Sequence, residues 1–164
     1  MIRLVCLLGI AACASTPAPA RAQQLPRDAH LYDPGAAVFS PADRYRDHVV
    51  VLDFWASWCE ECKRTAPQVD RMAAAFASDG LVVVGVNAGD SADEASTSAR
   101  ALGIHYPIAL DPKLELAEQL GASDLPLFLV IDRDGTVVRR TKHIDPEMLD
   151  LLRKLLRAPR ANVR

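Results

Sequence analysis

Two kinds of hydrophobic pattern alternate along this chain of 164 residues. Val49–Trp55 and Leu81–Val86 are nearly continuous apolar runs rich in β-branched residues, which is the pattern of strands buried on both faces of a sheet. Between them, apolar residues recur every three or four positions and predict an amphipathic helix from about Cys59 to Ser78, with Pro67 inside it. A strand, a helix and a second strand in this order predict a parallel βαβ unit.

The same two patterns continue to the C-terminus and predict further helices and strands. The caps are those expected of helices: a serine three residues before a glutamate, a glycine after the last apolar residue, and an aspartate followed by a proline. We therefore expect one α/β domain over residues 49–158, with a central mixed sheet flanked by helices. The predicted elements are a helix over Ser91–Leu102, a strand over Tyr106–Leu110, a helix over Pro112–Leu120, a hairpin of Leu127–Ile131 with Thr136–Arg140, and a closing helix that begins at Asp145 and Pro146.

Residues 1–22 have the layout of a secretory signal: an early positive charge, an apolar run too short to span a bilayer, and then small residues and prolines. Two ways of processing fit this segment. Ala20–Ala22 forms a small-x-small cleavage site that leaves a chain beginning at Gln23, whereas the residues before Cys13 resemble a bacterial lipobox, with a lipid anchor at Cys13. Both predict an extracytoplasmic domain, either periplasmic or anchored to a membrane and facing the periplasm.

Residues 23–48 carry weak signals, and we expect an irregular lead-in with a short edge strand near Ala36–Phe39. The chain has 19 basic and 21 acidic residues; without Arg3 and Arg21 of the leader, 17 basic residues remain and the net charge is −4. This balance does not favour nucleic-acid binding. A basic tail over residues 159–164 follows the closing helix, whose last turn suits cations.

Two cysteines remain once the leader is set aside, Cys59 and Cys62. Their i, i+3 spacing at the predicted start of a helix puts both sulfurs on one face of the first turn, where they can join or separate. Unpaired N–H groups and the positive end of the helix dipole favour a thiolate there, the form that attacks disulfides. A disulfide that closes so small a loop stabilises a fold little, so the pair indicates redox chemistry.

The residues Val51 to Lys63, V-x-D-F-W-A-x-W-C-x-x-C-K, resemble the thioredoxin superfamily. The strings Y-P-I-A-L-D-P-x-x-x-L-A-x-x-L-G-x-x-x-L-P and F-L-V-I-D-R-D-G-T-V-V, within residues 106–138, resemble its TlpA/ResA-like branch of extracytoplasmic thiol-disulfide oxidoreductases. This resemblance implies a thioredoxin-like fold with an extra helix and strand inserted before the strand that carries a cis-proline. We expect no cofactor and no bound metal.

The resemblance also implies roles for residues around the pair. Pro126 matches the cis-proline of the superfamily, and the backbone of Leu125 before it is implied to bind a substrate segment as an added strand. We expect Trp58 to shield the disulfide, with packing in the core as the alternative. Asp53 matches the buried acid of thioredoxin; it either takes the proton of Cys62 or is a structural acid in a wet crevice.

Glu60 and Glu61 lie between the cysteines. Acidic residues suit the N-terminus of a helix, but their charges oppose a thiolate at Cys59. A dithiol whose thiolate is weakly stabilised is a weaker oxidant, so we expect these glutamates to tune the pair toward a reductase. Thr65 stands where many members of the branch carry a glutamate, so the acid–base step falls to Asp53, to a glutamate of the motif or to water. Leu127 replaces the threonine usual after the cis-proline.

The leading prediction is a reductase of disulfide-containing client proteins, in which Cys59 attacks and Cys62 resolves the mixed disulfide. The resemblance implies a membrane thiol carrier of the DsbD or CcdA type as electron donor, and apocytochrome c as a client. The alternative is a non-catalytic copper(I)-binding or metal-delivery protein, since soft thiolates suit copper(I). Against it, no histidine has a chelating spacing with the pair. A thiol peroxidase would need a lone cysteine after a proline-threonine motif, which the sequence lacks.

Overall fold

The structure is a computed structural model that describes residues 23–35 and 37–159. The predicted leader with Cys13, Ala36 of the predicted edge strand, and residues 160–164 of the basic tail lie outside these residues. None of the helices within the described ranges combines the length and the apolar character needed to cross a membrane.

A seven-stranded mixed sheet with the order β2-β1-β5-β4-β3-β6-β7 forms the centre of the fold. The three central strands β5, β4 and β3 run parallel, and β6 and β7 are added antiparallel on one side. The predicted mixed α/β sheet is therefore confirmed. The strands are β1 (Leu31–Tyr32), β2 (Val38–Phe39), β3 (Val49–Trp55), β4 (Leu81–Ala88), β5 (Ile108–Asp111), β6 (Leu127–Ile131) and β7 (Val137–Thr141).

Helices cover both faces of this sheet. Alternate residues of β3 point to opposite faces. Val49 and Val51 pack with α2 and α5, whereas Val50 and Leu52 pack with α4 and the lead-in. The helices are α1 (Pro41–Arg44), α2 (Glu60–Phe76), α3 (Ala92–Ala101), α4 (Glu115–Gln119) and α5 (Pro146–Arg157).

The predicted caps of α3 and α5 are confirmed. Ser91 and Glu94 bond each other's backbone N–H groups in a capping box, and the Asp145 side chain accepts the N–H of Met148. These bonds satisfy donors that a helix leaves unpaired at its first turn. Pro67 lies inside α2 as predicted.

The lead-in is more regular than predicted. It contains two strands and the short helix α1, and Tyr32 of β1 pairs with Leu110 of β5. The expectation of one edge strand was therefore incomplete, because strands of two residues are too short to show an alternating pattern. The inserted α3 and β5 are present between β4 and β6, as the resemblance implies.

Among the elements after residue 49, two begin two or more residues later than predicted. Helix α4 begins at Glu115 rather than at Pro112, because Leu114 before it has a left-handed backbone conformation with φ 61°. Strand β5 begins at Ile108 rather than at Tyr106, whose side chain enters the core instead.

Candidate active site

The loop between β3 and α2 brings Cys59 and Cys62 together. Cys59 is the N-cap of α2, and its backbone N–H donates to the carbonyl of Ala56 at 3.1 Å. Cys59 Sγ accepts the N–H of Cys62 at 3.1 Å, as a polar side chain does at an N-cap. The two sulfurs form a disulfide whose Cα atoms are 5.2 Å apart. The predicted pair is thus joined at the first turn of a helix.

The disulfide is largely buried. Cys59 is 5% exposed and Cys62 is 3% exposed, and both pack in a small apolar cluster with Trp55, Ala56 and Ala99. Leu125 packs against the same cluster from the loop before β6. Little of either sulfur is therefore accessible from solvent in the oxidised protein.

Pro126 follows Leu125 through a cis peptide bond, as the resemblance implies. The first residue of β6 to pair with β3 is Leu127, and the first to pair with β7 is Phe128. Leu125 therefore precedes the part of the strand that is paired in the sheet. This arrangement sets an unpaired stretch of main chain beside the disulfide cluster.

Trp58 does not pack in the core. Its exposed fraction is 66%, and its ring lines a largely apolar groove of about 510 Å³. The groove extends from Trp58, the residue before Cys59 in the chain, to the loops around α4, with Leu125 on its wall. The other lining residues include Gly89, Leu114, Glu118 and Ala122.

Glu60 and Glu61 are each paired with a positively charged side chain of α2. Lys63 Nζ lies 2.6 Å from Glu60 Oε1, and Arg64 forms an ion pair with Glu61. The hydrogen bond from Lys63 lowers the pKa of Glu60 below its usual value. All four side chains are exposed, so solvent screens their fields. The sequence reasoning did not consider Lys63 and Arg64, whose positive charges act against those of the glutamates near the sulfurs.

Asp53 is buried on the face of β3 that also carries Trp55. It is 3% exposed, and burial raises its pKa to about 7, although a hydrogen bond from Tyr106 opposes this shift. The Tyr106 hydroxyl donates to Asp53 Oδ2 at 2.8 Å. Asp53 is thus buried more deeply than either interpretation of the sequence supposed, and among the described residues its side chain is bonded by the Tyr106 phenol.

Sequence reasoning missed Tyr106, and also a polar network ahead of the cysteines. Asp90 accepts hydrogen bonds from Ser57 and from the buried amide of Asn87. The signal for this network was two polar residues, Asn87 near the end of a buried strand and Asp90 just after it. No signal linked Tyr106 to Asp53, because the two are 53 positions apart.

Thr65 is buried in α2. Its hydroxyl donates a hydrogen bond to the backbone carbonyl of Cys62 at 3.1 Å, within the same helix.

In the ranges 23–35 and 37–159, no group of three or more His, Cys, Asp or Glu side chains is arranged to hold a metal ion.

A disulfide at the start of a helix, beside a cis-proline loop on a mixed sheet, defines a thioredoxin-like protein. Residues 28–140 match the AhpC/TSA family, and the chain belongs to that family.

Curated relatives share the same part of the chain. Thiol-disulfide oxidoreductase ResA of Bacillus subtilis is 32% identical over 90 residues, which are 55% of this chain and 50% of the relative. The ResA protein of Geobacillus thermodenitrificans is 29% identical over 93 residues, which are 57% of this chain and 53% of the relative. The chain thus spans about half the length of the curated relatives it matches.

Solved structures confirm the thioredoxin-like fold. A candidate thiol:disulfide interchange protein DsbE from Chlorobium tepidum is 27% identical, with a TM-score of 0.69 and coverage of 85% of this chain and 96% of that one. A thiol-disulfide oxidoreductase from Bacteroides fragilis is 19% identical, with a TM-score of 0.72 and coverage of 81% and 99%. The second likeness concerns the fold alone.

Proposed function

We propose that this chain is a thiol-disulfide oxidoreductase that reduces disulfides of client proteins through Cys59 and Cys62. The observation that carries the proposal is the Cys59–Cys62 disulfide at the N-terminus of α2, packed against Leu125 of the cis-proline loop. Membership of the AhpC/TSA family and the names of the ResA relatives support it.

Cys59 is the attacking residue in this mechanism. Its sulfur lies at the N-cap of α2, where helix N–H groups stabilise a thiolate once the disulfide is reduced. The Cys59 thiolate attacks one sulfur of the client disulfide. A bond forms between Cys59 and the client, the client disulfide breaks, and the first client sulfur leaves as a thiolate that takes a proton from water.

Cys62 then resolves the mixed disulfide. Its thiol gives a proton to the Asp53 carboxylate, and the Cys62 sulfur attacks the Cys59 sulfur. The second client sulfur leaves as a thiolate, so the client has gained two electrons and the protein holds the Cys59–Cys62 disulfide. Asp53 suits this step because its pKa, raised by burial to about 7, lets the carboxyl accept and release a proton near neutral pH.

The groove beside the disulfide is the proposed site for the client. The client segment lies along the backbone of Leu125 as an added strand, next to Pro126, and an apolar side chain of the segment covers Trp58. The exposed indole and the largely apolar lining of the groove support this placement. Leu127 has no hydroxyl to offer a client in place of the usual threonine, and its side chain is buried.

The direction of electron flow is toward the client. The motif carries two glutamates and two cations, so its charges give the Cys59 thiolate little net stabilisation, unlike those of a strong oxidant, and this favours a reductase. The electron donor in this proposal is a membrane thiol carrier of the DsbD or CcdA type, and one class of client is the pair of haem-attachment cysteines of apocytochrome c. Both come from the resemblance to the TlpA/ResA-like branch.

The site of action in this proposal is extracytoplasmic. The leader over residues 1–22 supports export, and the mass of the mature N-terminus distinguishes its two processing routes. A chain that starts at Gln23 indicates signal-peptide cleavage, whereas a lipid-modified Cys13 indicates a membrane anchor. Retention of an unprocessed N-terminus in the cytoplasm would contradict export.

Trapping of the mixed disulfide tests the function. The reduced Cys62→Ser variant should accumulate a covalent adduct with a disulfide-containing peptide, because the resolving sulfur is absent, and mass spectrometry should locate the adduct on Cys59. Cys59→Ser is the matched control and should accumulate far less adduct. The proposal fails if wild-type protein does not speed the reduction of insulin by dithiothreitol and neither variant forms an adduct.

A further inference from the structure

Tyr106 is the polar neighbour of a carboxyl that is otherwise enclosed by the core. Asp53 lies in the middle of β3, opposite Gly85 of β4 and Phe128 of β6, neither of which carries a polar side chain. Among the residues that the structure describes, no salt bridge involves Asp53, and its side-chain hydrogen bond is the one from Tyr106 at 2.8 Å. The protonation of Asp53 is therefore governed by burial and by this phenol.

Gly85 creates the space through which Tyr106 reaches Asp53. A Cβ atom at position 85 would lie 3.1 Å from Tyr106 Cε2 and 3.0 Å from Trp55 Nε1. Contacts this short would force the ring of Tyr106 or the indole of Trp55 to move. The strand position beside the acid is thus free of a side chain, and the Tyr106 ring, only 7% exposed, fills the volume.

The same residues connect Asp53 to the cysteines. Asp53 and Trp55 are two positions apart on β3 and share a face, and Trp55 packs in the cluster that holds Cys59 and Cys62. Ile104 and Ile108, on either side of Tyr106 in the chain, pack against that cluster as well. Tyr106 itself packs in the neighbouring cluster with Val51 and Phe128, so it contacts the acid from a position next to the redox site.

We propose that Tyr106 is a positioning residue for the resolving step, which holds Asp53 through Oδ2 and leaves Oδ1 to take the proton of Cys62. This inference rests on the proposed function. In the step, the proton moves from the Cys62 thiol to Asp53 Oδ1, the Cys62 sulfur bonds to the Cys59 sulfur, and the client sulfur leaves with the electron pair of the broken bond. A phenol that donates to a carboxylate favours its ionised form, so Tyr106 keeps Asp53 able to act as a base.

Other titratable groups near this pair are few. Asp70 of α2 raises the pKa of Tyr106 electrostatically, after burial and Asp53 itself, and is bound in turn by the backbone and ring of His105 at 2.9 and 3.1 Å. Helix α2 contributes a second titratable group besides Asp70, the Cys62 thiol of the reduced protein. His105 is exposed and Asp70 is partly exposed, so solvent screens their effect on Tyr106 and, through it, on Asp53.

The test is the reaction of fully reduced protein with Ellman's reagent in a stopped-flow instrument between pH 5.5 and 9.5. The first thionitrobenzoate released reports the attack by Cys59, and the second reports the resolution by Cys62. Tyr106→Phe removes only the hydroxyl. Without this hydrogen bond, the pH midpoint of the second phase should move upward by about one unit, and the second phase should slow up to about tenfold near neutral pH. The rate of the second phase at pH 9.5 and the whole first phase should be unchanged.

Two further variants make this result specific. Tyr45→Phe makes the same change on a residue that lines a pocket with Val50 and Ile131, at the opposite end of β3, and should leave both phases as in the wild type. Asp53→Asn should remove the midpoint, and adding Tyr106→Phe to it should have no further effect on the second phase.

The outcomes separate this inference from the proposed function. No second phase in the wild type would contradict the proposed function itself. The role of Tyr106 would be overturned if the wild type shows a second phase and Tyr106→Phe has the same pH midpoint. It would also be overturned if the second phase of Tyr106→Phe is slower by the same factor at every pH. If Tyr106→Phe does not fold, Tyr106→Leu provides the second test: it also removes the hydroxyl that binds Asp53 and should raise the midpoint too, and an unchanged midpoint would overturn the inference.

Discussion

The carboxylate of Asp90 accepts two hydrogen bonds from Ser57, at 2.7 Å from the backbone N–H and at 2.9 Å from the hydroxyl. Ser57 lies two residues before Cys59, and Asp90 lies in the loop after β4. The amide of Asn87, which is fully buried, donates to the same carboxylate at 2.7 Å. This network ties the loop ahead of the disulfide to the neighbouring strand of the sheet.

Removal of this carboxylate should destabilise the fold. We expect Asp90→Ala to lower the free energy of unfolding by about 1–3 kcal/mol, because the buried amide of Asn87 and the N–H of Ser57 lose their acceptor. Denaturant unfolding of the oxidised protein measures the change. Asp93→Ala, on an exposed residue of the same segment, should change it by less than about 0.5 kcal/mol. Equal losses in the two variants would contradict the role of the network.

The buried acid should make the stability depend on pH. The pKa of Asp53 is raised from 3.8 to about 7 by burial, so the folded state holds a proton that the unfolded chain releases. This contribution to stability is fully present below about pH 4 and is lost as the pH rises through about 7. Asparagine does not titrate, so the free energy of unfolding of Asp53→Asn relative to the wild type should rise by up to about 4 kcal/mol between pH 4 and pH 8.

Guanidinium unfolding of the two oxidised proteins at several pH values measures this difference. Asp79→Asn, on an exposed carboxyl at the far end of α2, is the control and should follow the wild type across the range. If the difference in the free energy of unfolding between Asp53→Asn and the wild type stays constant with pH, Asp53 is already ionised in the folded protein at low pH, and the prediction is wrong.

The charges of the motif should tune the redox potential only slightly. Replacing Glu60 and Glu61 together by glutamine leaves Lys63 and Arg64 without their ion-pair partners, next to the sulfurs. The thiolate form of the reduced protein is then favoured, so the potential should rise, by about 10–30 mV. Equilibration with glutathione buffers measures it, with Asp79→Asn as the charge control. A fall in the potential would contradict the assigned role of the glutamates.

Trp58 should matter for protein clients and not for stability. Its side chain is 66% exposed, so Trp58→Ala should change the free energy of unfolding by less than about 0.5 kcal/mol. It should nevertheless raise the KM for reduction of a protein disulfide several-fold, because an aromatic anchor of the groove is lost. Val38→Ala, an apolar residue 55% exposed on the lead-in hairpin, is the control. Equal KM values for Trp58→Ala and the wild type would exclude the groove as a client site.

The central part of the fold could be predicted because its signals are local. The buried runs of β3 and β4, the periodicity of α2, and the caps at Ser91 and Asp145 each lie within one segment of sequence. The spacing of Cys59 and Cys62 likewise determines which sulfurs can meet.

The contacts that adjust the site could not be predicted, because they join distant segments. The bond from Tyr106 to Asp53 depends on how the loop before β5 packs over Gly85, and the bond from Ser57 to Asp90 depends on the parallel pairing of β3 and β4. The two-residue strands of the lead-in lack a pattern of their own, and their pairing depends on the free edge of β5.

The most direct test of the proposed function is the equilibrium of the Cys59–Cys62 pair with defined ratios of reduced and oxidised glutathione, followed by thiol alkylation and mass spectrometry. We predict a fully reversible two-electron couple whose potential lies closer to the value of about −270 mV known for thioredoxin than to the value of about −120 mV of a strong oxidant. A pair that stays in one oxidation state at every ratio would contradict thiol-disulfide exchange, and a potential near −120 mV would contradict a reductase.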